Sequence, residues 1–215
     1  MSGYRISARG SDAAEMYLYG PIGESFFSDG VSAKQVANDL KKMGNVKTID
    51  VRINSEGGDV FDGKAIYSLL TDNKAKVRVH IDGLAASAAS FIAMAGNEIN
   101  ISEGGFMMIH DAYAGVQGRA ADMRQMADLL DSVNGTIVDV YAARTKQDKA
   151  KIREWMSAET WFTGVDAVKN GFATHMVENL KVAASVRDPK MFKNLPTILH
   201  PNRAKVAALI ERIRT

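Results

Sequence analysis

Three short segments carry the residues best equipped for chemistry. Gly83-Leu-Ala-Ala-Ser87-Ala-Ala-Ser90 places a serine just after an apolar run, among side chains small enough for a substrate carbonyl to approach. The helix expected to follow would aim its first N–H groups at a reacting oxygen. Ser90 would lie about one helical turn further on. His110 closes the apolar run Phe106–Ile109, which puts an imidazole at a strand end where it can act as a general base toward a neighbouring turn. Asn54-Ser-Glu-Gly57-Gly58 ends a third run, and adjacent glycines leave unobstructed N–H donors of the kind an oxyanion hole requires. Each feature alone has a plain structural explanation: helix packing, a solvated strand end, a turn. The other histidines, His80, His175 and His200, fall on a strand's polar side, in a terminal segment and in the tail.

Two alternatives are weak on chemical grounds. Gly58-Asp-Val-Phe-Asp-Gly63-Lys64 matches the first seven positions of a phosphate-binding loop, but Ala65 stands where Ser or Thr must ligate Mg²⁺, and Asp59 and Asp62 would repel phosphates. There is no Gly-x-Ser-x-Gly elbow. No histidine and carboxylate spacing suits a metal, so neither metal nor cofactor is expected. The chain has no cysteine, which excludes a thiol nucleophile, a zinc knuckle and a disulfide framework. A covalent mechanism must use oxygen or nitrogen.

The elements that would position these groups alternate between strand and helix. Lys47–Ser55 presents Ile49, Val51 and Ile53 on one face, and Val77, Val79 and Ile81 repeat the pattern. Met16–Tyr19 and Phe106–Ile109 are further strand candidates. Ser32-x-x-Gln35 reads as a capping box ahead of Ala33, Val36, Ala37 and Leu40, and a second helical pattern follows Gly57-Gly58. This rhythm predicts an α/β fold with a mostly parallel sheet. The longest helix, Arg119 to about Arg144, has an apolar stripe long enough to serve a subunit interface as well as a core.

Composition frames the whole. The 215 residues are 46% apolar and 24% charged, as in an ordinary globular chain. The net charge of +2 conceals an asymmetry: residues 181–215 hold eight Lys/Arg against Asp188 and Glu211, a net +6, which leaves −4 for the rest. With Pro189, Pro196 and Pro201, that stretch reads as a linker followed by a basic amphipathic helix carrying Val206, Leu209, Ile210 and Ile213. The expected organisation is an N-terminal segment 1–15, a body 16–180 and a tail 181–215. Gly83–Gly96 is too short and too rich in Ala and Ser to span a bilayer, and the first residues lack a signal-peptide core, so a cytoplasmic location without membrane or nucleic-acid partners is expected.

Taken together, Ile53-Asn-Ser-Glu-Gly-Gly58, Gly83-Leu-Ala-Ala-Ser87-Ala, Met108-Ile-His110 and Thr163-Gly-Val-Asp-Ala-Val-Lys-Asn-Gly171 resemble, in order and spacing, the proteolytic subunit of the Clp protease, over about residues 14–180. Ser55-Glu-Gly-Gly-Asp-Val-Phe-Asp-Gly63 and Ser157-Ala-Glu-Thr-Trp-Phe-Thr163 look most like the Clp-related head maturation proteases of phage and prophage. The resemblance implies the fold shared with crotonases, built of repeated β-β-α units with a protruding handle helix. It implies a serine endopeptidase with Ser87 as nucleophile and His110 as base. The third member is normally Asp. The matching position here is Glu159, with Asp166 as the nearby alternative.

The oxyanion donors implied are the N–H groups of Gly58 and Ala88. An extended peptide substrate would lie between the glycine segment, through Gly57, and the wall Ala112-Tyr-Ala-Gly115, where Tyr113 shapes the pocket. A homo-oligomeric ring, hexameric or heptameric and stacked through the handle helix, is implied as well. An AAA+ unfoldase or phage capsid or scaffold proteins are the implied partners. The alternative reading keeps the fold without peptidase activity, as an inactive ring subunit or a crotonase-fold acyl-CoA enzyme.

Overall fold

The computed structural model describes residues 3–23, 30–178, 186 and 188–200. Among them one mixed sheet runs in the order β1 (Gly3–Arg9), β2 (Ala13–Tyr19), β3 (Thr48–Ser55), β4 (Lys76–Ala86), β5 (Glu98–Ser102) and β8 (His175–Val177). All these neighbours are parallel except the β1–β2 hairpin. The alternating apolar residues that mark β3 and β4 in the sequence, Ile49, Val51, Ile53, Val77, Val79 and Ile81, are essentially inaccessible to solvent. The mostly parallel α/β fold expected from the sequence is the one observed. Residues 3–15, set apart in the sequence reading as an N-terminal segment, pair with the body as β1 and the start of β2.

β4 is the element that builds the site. Its first half pairs with β5, from Arg78↔Glu98 to Ile81↔Ile101, and its second half leaves β5 for β6 (Phe106–Ile109), from Leu84↔Phe106 to Ala86↔Met108. The switch coincides with a register shift against β3, where Ile53 pairs with Ile81 but Ser55 pairs with Ala85. The Asn54 side chain satisfies the Leu84 N–H displaced by that shift, at 3.1 Å. β6 in turn pairs antiparallel with β7 (Thr160–Thr163), Ile109 opposite Thr160.

Helices cover the sheet. α1 (Ala33–Met43) begins at Ser32, whose hydroxyl accepts from Gln35 N–H, as the capping signature predicts. α2 (Val60–Thr71) is capped by Asp59, which accepts from Phe61 and Asp62 N–H, while Asp62 accepts from Ala33 N–H at 2.7 Å. The two carboxylates of the rejected phosphate-loop match are therefore occupied in holding α2 and α1. α3 (Ala88–Ala93) is short and buried, and Gly63 of α2 lets the two helices approach, since a Cβ there would sit 3.0 Å from that of Ala88.

α4 (Ala120–Thr145) matches the long helix expected from about 119 to 144. Its second half buries Val133, Ile137, Val138 and Tyr141, while Met123 and Leu129 in the first half are exposed. α5 (Lys149–Ser157) and α6 (Gly164–Lys169) flank β7. Beyond the body, a short segment with 3₁₀ turns at Pro189–Met191 and Thr197–Leu199 packs back onto it. The expected helix carrying Val206 to Ile213 lies outside the described residues. Among the described residues no helix is long and apolar enough to cross a membrane.

Candidate active site

Ser87 sits at the turn between β4 and α3 with φ 52° and ψ −126°, a conformation that costs a non-glycine residue strain of order 1–3 kcal/mol. Three contacts hold it there. Ser87 N–H donates to Met108 O at 2.9 Å, tying the turn to β6 two residues before His110. The buried Ser90 hydroxyl donates to Ser87 O at 2.6 Å and is joined to Tyr141 OH at 2.8 Å, so α4 braces the turn from below. The Ser87 hydroxyl itself caps nothing in α3 and is left for His110, whose Nε2 lies 2.7 Å from Ser87 Oγ.

His110 follows directly on β6. Burial pushes its pKa below the ordinary imidazole value, opposed by the nearby negative charges of Glu159 and Asp111 and assisted by Lys193. The neutral ring is favoured, as a proton acceptor requires. The Tyr113 ring stands edge-on to it with centroids 5.7 Å apart. Ala112 N–H donates to the Asn134 side chain, which fixes the start of the expected wall 112–115 to α4.

The antiparallel register explains where the acid falls. The register ends with Ile109 opposite Thr160, and His110 and Glu159 are the residues that adjoin that last pair on the two chains. Glu159 is buried at 7% exposure and has φ 49°, in the left-handed region. Asp166 is used differently: with Thr163 it closes a capping box at the start of α6, at the exposed surface, its carboxylate 2.7 Å from Thr163 Oγ1. Among the described residues His110 is hydrogen-bonded to Ser87 and to neither carboxylate; Glu159 adjoins its strand end and acts on it through its charge, whereas Asp166 does not figure among the charges that influence it.

The glycine turn lies against the serine. A Cβ on Gly57 would stand 2.6 Å from Ala86 O, 2.7 Å from Ser87 Cβ and 3.0 Å from Ala88 N, and Gly57 has φ +93°. Gly58, at φ +145°, faces Ile22, which bridges to it through Ile22 N–H to Gly57 O and Asp59 N–H to Ile22 O. That bridge consumes the flanking groups and leaves the N–H of Gly58 without an acceptor among the described residues; the same holds for Ala88 N–H at the start of α3. Gly57→Ala therefore combines a backbone clash with a strained φ. It is expected to destabilise the fold by at least about 2 kcal/mol in chemical denaturation and to reduce reaction of Ser87 with a serine-directed probe at least tenfold.

Part of this arrangement lines a cavity of about 340 Å³. Gly58, Ser87, Ala88, His110 and Tyr113 form its polar side, while Met126, Leu129, Leu130, Met191 and Phe192 supply apolar walls. Two parts of this site carry no local signal in the sequence. Tyr141 lies 51 residues from Ser90, and Met191 and Phe192 belong to the tail.

Comparison with known proteins gives the arrangement its context. The family model described as Clp protease matches residues 2–180. The chain belongs to the Clp protease family. Among Clp relatives, the ATP-dependent Clp protease proteolytic subunit 1 of Synechococcus sp. (strain CC9902) is 31% identical over 172 residues, covering 76% of this chain and 84% of that protein. The ATP-dependent Clp protease proteolytic subunit of Borreliella afzelii (strain PKo) is 30% identical over 148 residues, 66% and 72% of the two chains. Subunit 2 of Nocardia farcinica (strain IFM 10152) is 28% identical over 142 residues, 65% and 70%. The Clp family match contains Ser87, His110 and Glu159 and ends before the segment that supplies Met191 and Phe192.

Proposed function

We propose that this chain is a serine endopeptidase of the Clp type that cleaves peptide bonds through Ser87, His110 and Glu159. The observation that carries the reading is the 2.7 Å contact between Ser87 Oγ and His110 Nε2 in a cavity that also presents two uncommitted N–H donors. His110 Nε2 takes the Ser87 hydroxyl proton as Oγ attacks the substrate carbonyl. The N–H groups of Gly58 and Ala88 bind the oxyanion. His110 then protonates the departing amine, and a water deprotonated by the same nitrogen hydrolyses the acyl-enzyme. Glu159, as an anion, stabilises the imidazolium that forms in between. An extended peptide lies along the glycine segment by Gly57, with the side chain before the cut against Tyr113 and the apolar walls.

The proposed assembly is a homo-oligomeric ring in which the exposed first half of α4, with Met123 and Leu129, meets neighbouring subunits. A closed chamber limits a weakly selective protease to chains that enter it, delivered by an AAA+ unfoldase or as phage capsid or scaffold proteins. Maturation of phage heads is the role favoured by the segments Ser55–Gly63 and Ser157–Thr163. The body acts in the cytoplasm, with the basic tail as its appendage.

A fluorophosphonate tests the reading. It is expected to label one residue, Ser87, located by peptide mass mapping, and Ser87→Ala is expected to abolish labelling. Labelling that survives that change overturns the assignment.

A further inference from the structure

The carboxylate of Glu159 is held by main-chain donors from outside the protease body. Lys193 N–H donates to Oε2 at 2.9 Å and Asn194 N–H to Oε1 at 2.7 Å, with the Trp161 indole N–H more distant at 3.4 Å. The Asn194 side-chain amide adds a bond to Ala158 O at 2.7 Å, so Asn194 also holds the backbone next to Glu159. The segment is anchored independently of these bonds. Val186, Phe192 and Leu199 are buried in a small apolar cluster with Leu84, Ala86 and Met108, and the Phe192 ring packs edge-on against Trp161 at 5.2 Å. Leu84, Ala86 and Met108 belong to the strand ends that carry Ser87 and His110.

We infer that the segment Asp188–His200 is a positioning element of the active site, whose main-chain N–H groups at 193 and 194 fix the Glu159 carboxylate beside the strand end that carries His110. The inference rests on Glu159 being the acid of the proposed triad. A glutamate has one more rotatable bond than an aspartate, and it starts here from a left-handed backbone. Two charge-assisted bonds, one to each oxygen, remove that freedom. The donors are backbone groups, so the side chains at 193 and 194 are not what fixes the carboxylate. The holding element lies beyond the family-matched residues 2–180.

The full-length chain tests this with three variants, followed by fluorophosphonate labelling rate and its pH profile. Asn194→Pro deletes one donor to Glu159 together with the side-chain bond to Ala158 O, and Glu159→Gln removes the anion. Both are expected to slow labelling about tenfold to a hundredfold. Both are also expected to move the acid limb of the profile to lower pH, because the charge that raises the His110 pKa is displaced or gone. Combining them is expected to give no further loss beyond about twofold. Leu199→Ala, which loosens the anchor without touching cavity or donors, is expected to shift the limb in the same direction and serves if the proline variant does not fold.

An unchanged rate and limb in Asn194→Pro and Leu199→Ala, with Glu159→Gln impaired, overturns the positioning role and leaves the triad standing. Faster labelling in Asn194→Pro also overturns it, because the segment would then be withholding Glu159. An unimpaired Glu159→Gln removes the acid assignment itself, whereas the nucleophile is decided separately by Ser87→Ala.

Discussion

Replacing His110 by alanine is expected to lower peptide hydrolysis about 10⁴-fold or more, with substrate binding little changed, because the proton acceptor contributes only once Ser87 begins to attack. The parent enzyme should show the sign of the burial at this site. His110 must be neutral to accept the Ser87 proton, so kcat/KM rises with pH as the imidazolium is lost. Burial is the largest influence on its pKa and lowers it from 6.5, outweighing the opposite pull of Glu159 and Asp111. The base is consequently available at more acidic pH than a free imidazole, and the half-maximal point of the acid limb is expected below 6.5. The His110→Ala variant should retain weak, probe-independent turnover without this limb. A midpoint clearly above 6.5 in the parent would mean that the neighbouring carboxylates dominate over burial.

Ser87 and His110 each had a plain structural explanation in the sequence, and they were joined there by the order and spacing of the segments that resemble the Clp family. What alternation along Val77–Ile81 does not reveal is that β4 runs on to Ala86 and changes partners on the way. The residues after Ile81 are small or uniformly buried, so the period-two signal vanishes where the strand leaves β5 for β6. The hairpin strand β1 escaped notice for a related reason: it is an edge strand with Tyr4 as its one buried residue, and an edge needs no apolar face.

Likeness left the acid at Glu159 or Asp166; Glu159 adjoins the last β6–β7 pair next to His110, while Asp166 closes the capping box of α6. The clamp on Glu159 has no sequence signature at all, because any residue but proline supplies a main-chain N–H. Nor do the prolines and basic charges that mark residues 181–200 as an appendage reveal docking; that follows from Val186, Phe192 and Leu199, too widely spaced to form a periodic pattern.

The largest stability effect is expected at a buried ion pair beneath the same strand switch. Asp82 has no solvent exposure, and its carboxylate is held by Arg52, through Nε at 2.9 Å and through a second guanidinium nitrogen, and by Tyr19 OH at 2.6 Å. Burial and the Asp82 carboxylate push the Tyr19 pKa up to about 12, so its hydroxyl remains a donor across the working pH range. Asp82 O also accepts from the Ser102 hydroxyl at 2.8 Å, which ties β5 to β4 just before they part. Arg52→Met removes the cation and leaves the carboxylate buried with one neutral partner. The expected cost is about 3–5 kcal/mol, read from denaturant unfolding at fixed protein concentration because assembly would add to apparent stability. The loss belongs to the stranded charge rather than to the missing contacts. Asp82→Asn introduced beside Arg52→Met should therefore recover much of it, although the double variant retains fewer ionic contacts than either single change. If the two losses simply add, the carboxylate is reaching water in the single variant, and the bridge is a surface pair in energetic terms despite its burial.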